Sequence, residues 1–204
     1  MSYRPYVSID IETTGLDEDT CQVLEIGAVI DDWTTPFTLL PKFRCYVDHG
    51  TIVGEPYALS MHPKILRAIA TGSTREGQNV YKGWREGDEV PIYTPETVTG
   101  IFINWLHSNR LHLGDQKIVV AGKNYGSFDH QFMKRLPQFG EYVRIKHRFI
   151  DPGNLYFNPA TDDGTPDMGT CMKRAGISGD VTHTAIEDAL VVVKLVRHWE
   201  RSRG

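Results

Sequence analysis

Near its N-terminus the chain alternates apolar with other side chains, and this pattern constrains the fold more than any other. The aliphatic residues are Val7, Ile9 and Ile11. The residues that alternate with them are Tyr6, Ser8, Asp10 and Glu12. Because successive side chains of a strand point to opposite faces, Asp10 and Glu12 are predicted to share one face. Their Cα atoms would lie roughly 6.6 Å apart at about 3.3 Å per residue. Two carboxylates at this spacing can reach a common metal pair, whereas the alternative is a solvated strand end before a glycine turn.

The next segments predict an antiparallel meander followed by alternating helices and strands. Residues 23–30 predict a second strand, and a third lies within residues 37–47, interrupted by Pro41. Helices are expected over residues 63–70 and 95–109, the latter with Thr94 as N-cap and Pro95 at its first position. The continuous apolar run within residues 117–122 predicts a buried central strand. Residues 149–151 are expected to form a short fifth strand.

The second half of the chain predicts an inward-facing acid. Asp129 shares a helical stripe with Phe132, Met133 and Leu136, so its carboxylate is expected to face the sheet, where it would be costly without a partner. Thr165 and Pro166 are expected to begin a helix that reaches residue 174, and the last helix begins near residue 184. This order of elements is typical of an α/β sandwich with a mixed sheet. Residues 73–93 lack apolar periodicity and predict a flap, hairpin or mobile loop.

Composition restricts the class of protein. The 204 residues are 40% hydrophobic and 24% charged, which suits one globular domain. The longest aliphatic run, residues 189–193, is far too short to span a membrane. The three cysteines are widely spaced, and the first strand begins too early for a signal peptide, so we expect a reduced, cytoplasmic protein. The net charge of −4 argues against a general nucleic-acid coat protein.

Basic residues nevertheless gather around the middle of the chain. They are Lys123, Lys134, Arg135, Arg144, Lys146 and Arg148. Two interpretations of this group are equally good: an ordinary solvated surface, or a rim that contacts phosphates.

Three short segments carry the functional signal. Their sequences are Asp-Ile-Glu-Thr-Thr-Gly-Leu at 10–16, Asn-Tyr-Gly-Ser-Phe-Asp at 124–129 and His-Thr-Ala-Ile-Glu-Asp at 183–188. In this order they resemble the motifs of the DEDDh 3′–5′ exonucleases, the superfamily of RNase T, oligoribonuclease and the proofreading epsilon subunit. The resemblance extends from about residue 6 to residue 199. It implies one exonuclease domain over residues 1–204 with an α/β, ribonuclease-H-like three-layer fold, in which helices flank a mixed five-stranded sheet.

The resemblance also implies the catalytic set. It makes Asp10, Glu12, Asp129 and Asp188 the metal ligands and His183 the general base. Residues five apart in one helix would lie roughly 140° out of register, so His183 is expected on the loop that leads into the helix of Asp188. The tyrosine branch of the superfamily has a different spacing. Two ions of Mg²⁺ or Mn²⁺ are expected, because oxygen-only ligands favour these metals over zinc.

Further residues are expected to bind the terminal nucleotide, on the same resemblance. They are Thr13, Thr14, Gly15, Leu16, Met61, His62 and Phe128. For His62 a place on a surface loop is slightly favoured, and for Tyr125 and Phe128 core packing is favoured over stacking on bases. Glu25 is either a support for the metal ligands or a carboxylate near solvent.

Some residues near the motifs have simpler expected roles. Asp151 is expected to order the loop around it, and Glu187 to be solvated. Leu195 and Trp199 are expected in the core.

The function implied is hydrolysis of the 3′-terminal phosphodiester of single-stranded DNA, RNA or short oligonucleotides, which releases nucleoside 5′-monophosphates. The expected partner is a single-stranded 3′ end, with no membrane; RNase T and oligoribonuclease are dimers, which leaves a homodimer open. A polymerase-associated proofreading subunit is a second hypothesis, less favoured because little sequence follows the last motif. An inactive nucleic-acid-binding module is least favoured, because none of the expected acids is missing.

Overall fold

One mixed sheet forms the centre of the molecule. The computed structural model describes residues 4–72, 90–111, 117–179 and 184–203. Its five strands are β1 (Tyr6–Thr13), β2 (Val23–Asp31), β3 (Lys42–Val47), β4 (Ile92–Tyr93) and β5 (Val120–Ala121), in the spatial order β4-β3-β2-β1-β5. The first three strands form the predicted antiparallel meander, while β5 pairs with β1 and β4 with β3 in parallel.

Helices cover both faces of this sheet. They are α1 (Pro56–Met61), α2 (Pro63–Thr71), α3 (Pro95–Ser108), α4 (Asp129–Met133), α5 (Phe139–Tyr142), α6 (Pro152–Leu155), α7 (Met168–Arg174) and α8 (Ala185–Arg201), and a 3-10 helix spans Phe37–Leu39. Val7, Ile9 and Ile11 of β1 pack in one core with α3 and α4. Tyr6, on the opposite face of β1, packs in a second core with α8. The three-layer, ribonuclease-H-like α/β fold expected from the sequence is confirmed.

Helix α3 follows its sequence prediction closely. Pro95 is its first residue, and the Thr94 and Thr97 side chains form a capping box, which satisfies amides that a helix start would leave unpaired. The predicted stripe of Val98, Ile101, Phe102 and Trp105 is buried. The ring of Phe102 lies 5.2 Å from that of Phe43 on β3, so the helix packs directly on the sheet.

Two predicted strands are corrected by the structure. The run at 117–122 gives only the two-residue β5 at one end of the five-strand order, with isolated bridges from Ile118 to Ile145 and from Ala121 to Ile150 on its other side. The expected strand at 149–151 amounts to the single bridge at Ile150. The fifth strand is β4, which falls within the segment predicted to be a flap; residues 73–89 of that segment lie outside the described residues. Pairing of β5 ends early because the chain turns at Asn124, whose φ is +59°.

Several smaller predictions are also corrected. Helix α7 begins later than expected, because the Asp167 side chain accepts a hydrogen bond from the Thr170 amide at 2.7 Å and caps it. Leu195 is fully buried as expected, whereas Trp199 is only partly buried, with the Arg203 guanidinium 4.4 Å from its ring centre. The short helices α1, α5 and α6 have too few turns to show periodicity in the sequence. None of the helices in the described ranges combines the length and apolar character that a membrane crossing requires.

A buried ion pair fastens α8 to the end of β2. Asp31 is fully buried, and its carboxylate accepts hydrogen bonds from Arg197 Nε at 2.9 Å and Nη2 at 2.6 Å. The Tyr6 hydroxyl donates a further bond at 2.9 Å, and Arg197 also donates to the Thr35 carbonyl at 2.8 Å. These hydrogen bonds offset the free-energy cost of removing the two charged groups from water.

Replacing Arg197 by methionine should destabilise the protein, because Asp31 would keep a buried charge without its cation. We expect the Arg197→Met variant to lose about 3–5 kcal/mol of unfolding free energy in urea titrations. Arg201→Met, at the exposed end of the same helix, is the matched control. A loss below about 1 kcal/mol in Arg197→Met would show that the pair contributes little.

Candidate active site

Three carboxylates from two separate elements converge at one end of the sheet. Asp10 and Glu12 point from the same face of β1, as their spacing predicted, and Asp188 points toward them from the first turn of α8. One oxygen of each lies within 4.8 Å of the others. Asp188 is buried, whereas Asp10 and Glu12 keep partial exposure. The group therefore borders solvent on one side and the α8 core on the other.

Gly27 of β2 lets α8 approach close enough for this convergence. It lies opposite Asp10 in the β1–β2 register. A Cβ atom at this position would stand 2.2 Å from the carbonyl carbon of Ala185 and from the nitrogen of Ile186. The Ser8 hydroxyl holds the following turn by donating to the Ala189 carbonyl at 2.8 Å. Sequence reasoning missed Gly27, although a glycine inside an apolar strand is a known sign of close backbone approach.

Asp129, the fourth expected ligand, lies beside the three rather than among them. It is the first residue of α4 and is buried, as its helical stripe predicted. Its Oδ1 accepts a hydrogen bond from the Ile11 amide at 3.1 Å. That amide is accessible because β5 pairs with β1 only at Val7 and Ser8. The 4.8 Å group does not include Asp129.

The cluster is electrostatically costly when all its acids are charged. Burial raises the pKa of Asp10 well above its ordinary value, and the charges of Asp129 and Asp188 raise it further. Burial, followed by the charge of Glu25, raises the pKa of Glu12 to about 8. Burial raises the pKa of Asp129 to about 7, against the effect of its backbone hydrogen bonds. A divalent cation would relieve this repulsion, and oxygen-only donors suit Mg²⁺ or Mn²⁺.

Glu25 supports the cluster from the neighbouring strand. It lies opposite Glu12 and is fully buried, which excludes the second of the two alternatives, a carboxylate near solvent. Its carboxylate pairs with Arg44 Nε of β3 at 2.6 Å. Glu25 thus joins β2 to β3 beside the acid cluster.

His62 also belongs to this region. Its side chain is 6% exposed, and Nε2 lies 3.4 Å from Glu12 Oε2. The surface-loop placement favoured at the sequence level is therefore wrong, because the residue links α1 and α2 and turns inward. His183, the expected general base, lies outside the described residues, immediately before the Thr184 N-cap of α8.

The turn after β1 is held by a network of hydrogen bonds. The Thr14 hydroxyl donates to the Val53 carbonyl at 2.7 Å and accepts from the Gln22 amide at 2.8 Å. The Glu55 carboxylate accepts from the Leu16 amide at 3.2 Å, and the Thr13 hydroxyl donates to the Gly15 carbonyl at 2.7 Å. Leu16 itself is 76% exposed. The four residues expected to hold a nucleotide thus form the end of β1 and a hydrogen-bonded turn that carries an exposed leucine.

The aromatic residues of the second motif pack mainly inside the protein. Tyr125 is fully buried, and its ring centre lies 5.2 Å from that of Phe149, which confirms the core-packing prediction. Phe128 is partly buried against Phe132, with ring centres 5.1 Å apart. Asp151 orders this loop as expected, because its carboxylate accepts from the Asn124 amide at 2.9 Å and the Gly153 amide at 2.7 Å.

The basic group around the second motif is divided between two environments. Lys123 is largely buried and lies 3.9 Å from Asp151, and Arg135 pairs with Asp19 on the surface. Lys134, Arg144 and Arg148 are exposed. Both interpretations of the group, solvated surface and phosphate-contacting rim, are compatible with these positions. Glu187 is exposed, as predicted.

Comparison with known proteins identifies the fold. No protein-family model and no curated protein matches the sequence. The structure is similar to that of E. coli exonuclease I in complex with a dT13 oligonucleotide, with a TM-score of 0.61 and 13% identity over 95% of this chain and 40% of that one. Cell-death related nuclease 4 gives a TM-score of 0.62 and 15% identity over 98% of this chain and 65% of that one. A full-length 3′-exonuclease gives a TM-score of 0.63 and 13% identity over 100% of this chain and 84% of that one.

The similarity to these solved structures establishes the fold of the chain. The chain spans less than two thirds of the length of exonuclease I and of cell-death related nuclease 4. At such low sequence identity the likeness shows a shared ribonuclease-H-like fold. The chemistry has to be argued from the side chains.

Adding a methyl group at Gly27 should push the start of α8 away from the sheet. We expect Gly27→Ala to lose about 1–3 kcal/mol of unfolding free energy and to bind Mn²⁺ several-fold more weakly in calorimetric titrations. Gly100→Ala is the control, because a Cβ atom there meets open space on α3. Unchanged Mn²⁺ affinity in Gly27→Ala would contradict a role of this contact in placing Asp188.

The raised pKa of Glu12 predicts a pH-dependent stability. The pKa of this carboxyl rises from 4.5 to about 8 on folding. Its contribution to the unfolding free energy is therefore full below about pH 4.5, falls as the pH rises, and is lost above about pH 8. In EDTA, Glu12→Gln should therefore gain stability relative to the parent protein between about pH 5 and pH 9. Saturating Mg²⁺ should shrink the difference, since a cation neutralises the carboxylates.

Urea titrations at several pH values measure this difference, with the exposed Glu141→Gln as control. A stability difference that stays constant across the range would mean that Glu12 titrates at its ordinary value.

Proposed function

We propose that this chain is a metal-dependent 3′–5′ exonuclease. Its reaction would be hydrolysis of the 3′-terminal phosphodiester of single-stranded DNA, RNA or short oligonucleotides, with release of nucleoside 5′-monophosphates. The observation that carries the proposal is the convergence of Asp10, Glu12 and Asp188 within 4.8 Å. The proposal is supported by the fold, which is shared with solved nuclease structures. One of these structures contains a bound oligonucleotide. The three motifs resemble those of DEDDh enzymes in order and spacing.

The acids are the proposed ligands of two Mg²⁺ or Mn²⁺ ions. Asp10, Glu12 and Asp188 would hold the ions together with Asp129, which lies beside them next to Ile11. When bound, the ions lower the pKa of water and neutralise charge that develops on the phosphate and the leaving oxygen. Glu25 and Arg44 would keep the ligands oriented, since they tie β2 to β3 at the position opposite Glu12.

The proposed general base is His183. A histidine can be neutral near pH 7 and take a proton from the attacking water. Thr184 is extended and α8 begins at Ala185, so His183 precedes the helix that carries Asp188. This order agrees with the expectation that His183 is not part of the helix that carries Asp188.

The hydrogen-bonded turn after β1 is the proposed binding site for the terminal nucleotide. Thr13, Thr14 and Gly15 would present backbone groups to it, and the exposed Leu16 would pack on its base. Met61, His62 and Phe128 complete the proposed nucleotide-binding set. His62 supports this assignment by its position, because it reaches Glu12 from the end of α1. In this proposal the whole chain acts as one exonuclease domain.

Strands labelled at the 5′ end test the proposal directly. DNA and RNA oligomers of several lengths should be shortened from the 3′ end in Mg²⁺, giving a ladder of products. EDTA or a blocked 3′ end should abolish the ladder, and a closed circle should remain intact. Cleavage of circles would indicate an endonuclease instead, and binding without cleavage in Mg²⁺ or Mn²⁺ would indicate an inactive module.

The Asp188→Asn variant should lose essentially all hydrolysis in this assay, because the amide cannot supply an anionic ligand. Glu187→Gln is the matched control, since it changes the adjacent but exposed acid of the same helix and should retain activity. Circular dichroism checks that both variants are folded. Full activity in Asp188→Asn would remove the acid cluster from the mechanism.

A further inference from the structure

Basic side chains gather at one edge of the sheet. Beyond β5, the chain between α5 and α6 runs alongside that strand through bridges from Ile145 to Ile118 and from Ile150 to Ala121. Among the described residues, no further strand pairs with the outer side of this segment. We call its three Lys and Arg side chains, with the lysine that precedes Ile118, the basic edge. The members are Lys117, Arg144, Lys146 and Arg148.

The backbone places the members of the basic edge next to one another. Arg144 and Arg148 are four residues apart, so their Cα atoms are separated by at most about 14 Å. The Ile118 amide donates to the Arg144 carbonyl at 2.9 Å, and the Lys146 amide donates to the Ile118 carbonyl at 2.9 Å. Lys117 precedes Ile118 in the chain and therefore lies beside both. The four positions are contiguous.

The apolar residues of this segment anchor it and leave the cations outside. Ile145 and Phe149 pack against the core that includes α3 and α4, and Ile150 packs against the core that includes α8. The segment has more residues between its two bridges than β5 has on the other side, so it bulges away from the sheet. Lys146 is partly exposed, and the other three members of the basic edge are exposed.

Within the described ranges, the cations of the basic edge have no acidic partner. Other arginines are neutralised by the fold: Arg197 pairs with Asp31. Arg174 pairs with Asp162. No described salt bridge involves a member of the basic edge, and residues 143–150 contain no acid. In a chain with a net charge of −4, this group forms a local positive region that attracts anions.

The basic edge leads toward the acid cluster. Its segment runs parallel to β5, and β5 runs parallel to β1, so all three point to the end of the sheet that carries Asp10. Ala121 lies level with Ser8 on one side and with Ile150 on the other. Ordinary strand spacings then put the basic edge roughly 15–25 Å from Asp10. Several nucleotides cover that distance, at about 3.4 Å per stacked nucleotide.

We propose that the basic edge binds phosphates of the substrate strand several nucleotides to the 5′ side of the terminal linkage. This inference rests on the proposed function and specifies its substrate class, strands long enough to reach from the acids to the edge. Contacts to phosphates carry no sequence information, so this binding is independent of sequence. A di- or trinucleotide would occupy the acid cluster without reaching the edge, and affinity therefore increases with strand length.

Charged side chains at a sheet edge have a second use in proteins. They prevent the edges of two molecules from pairing. That use requires charge but no ligand, so it predicts that removal of the charges promotes association of the protein and leaves its affinity for nucleic acid unchanged. We favour phosphate binding because all four members of the basic edge carry the same sign, whereas charges of either sign would block pairing.

The salt dependence of strand binding tests the proposal. The probes are 5′-labelled oligothymidylates from three to about twenty nucleotides long, titrated with Ca²⁺ in place of Mg²⁺ to slow hydrolysis and read by fluorescence anisotropy. The basic-edge variant combines Arg144→Gln, Lys146→Gln and Arg148→Gln. We expect it to bind the longest strand at least about tenfold more weakly at low salt. Its slope of log affinity against log salt should be smaller by about 2, at about 0.7 per phosphate contact.

A second triple variant controls for the change in net charge. It combines Lys173→Gln, Arg201→Gln and Arg203→Gln, which are exposed positions at the ends of α7 and α8. It should bind every strand nearly as well as the parent protein, with the parental salt slope. Circular dichroism and gel filtration check that the variants are folded and do not associate. If the basic-edge variant does not fold, Arg148→Gln alone replaces it, with an expected change in slope of about 0.7.

Strand length separates contact with the basic edge from a general effect on the protein. The loss of affinity in the basic-edge variant should be largest for the longest strand and should shrink as the strand shortens. An equal loss at every length would overturn the proposal, as would an equal loss in the control variant. Association of the basic-edge variant with parental affinity and salt slope would also overturn it, in favour of protection of the sheet edge.

The two proposals fail in different ways. If the parent protein neither binds nor shortens strands of any length, the exonuclease proposal fails and this inference falls with it. If the parent protein shortens 3′ ends while the basic-edge variant keeps the parental affinity and salt slope, only the role of the basic edge is wrong.

Discussion

Close packing of the first turn of α8 against Gly27 is the contact on which the candidate site depends. The helix backbone fills the space that a side chain at position 27 would need. The Ser8 hydroxyl fixes the next turn, and Arg197 fixes the far half through its buried ion pair. Together with the apolar core between α8 and the sheet, these three attachments place the helix over β1. They bring Asp188 to Asp10, although the two residues are far apart in the sequence.

This arrangement concentrates negative charge, which the fold alone does not favour. Burial raises the pKa values of Asp10, Glu12 and Asp129, and neighbouring carboxylates raise them further. Burial also raises the pKa of Glu25, but the Arg44 guanidinium, paired with it at 2.6 Å, opposes this rise. The fold thus supplies a cation to Glu25, whereas a bound divalent ion would neutralise the other three carboxylates. Sites that oppose local stability in this way are commonly functional.

Local patterns predicted much of the architecture. The alternation around Asp10 and Glu12 predicted β1 and the shared face, and Thr94 with Pro95 predicted the start of α3. Patterns failed where pairing was decided at a distance. The apolar run at 117–122 resembled a central strand, yet only two of its residues pair as β5, since the chain turns at Asn124.

The amino-acid sequence by itself determined the order of the elements, the faces of β1 and the inward direction of Asp129, because these follow from periodicities of a few residues. Only the tertiary structure decided that His62 turns inward to Glu12, that Glu25 is buried with Arg44 and that Leu16 is exposed at the turn after β1. Those features depend on how separate segments cross in space. A side chain's burial and charge partners come from segments that its own neighbours in the chain do not specify.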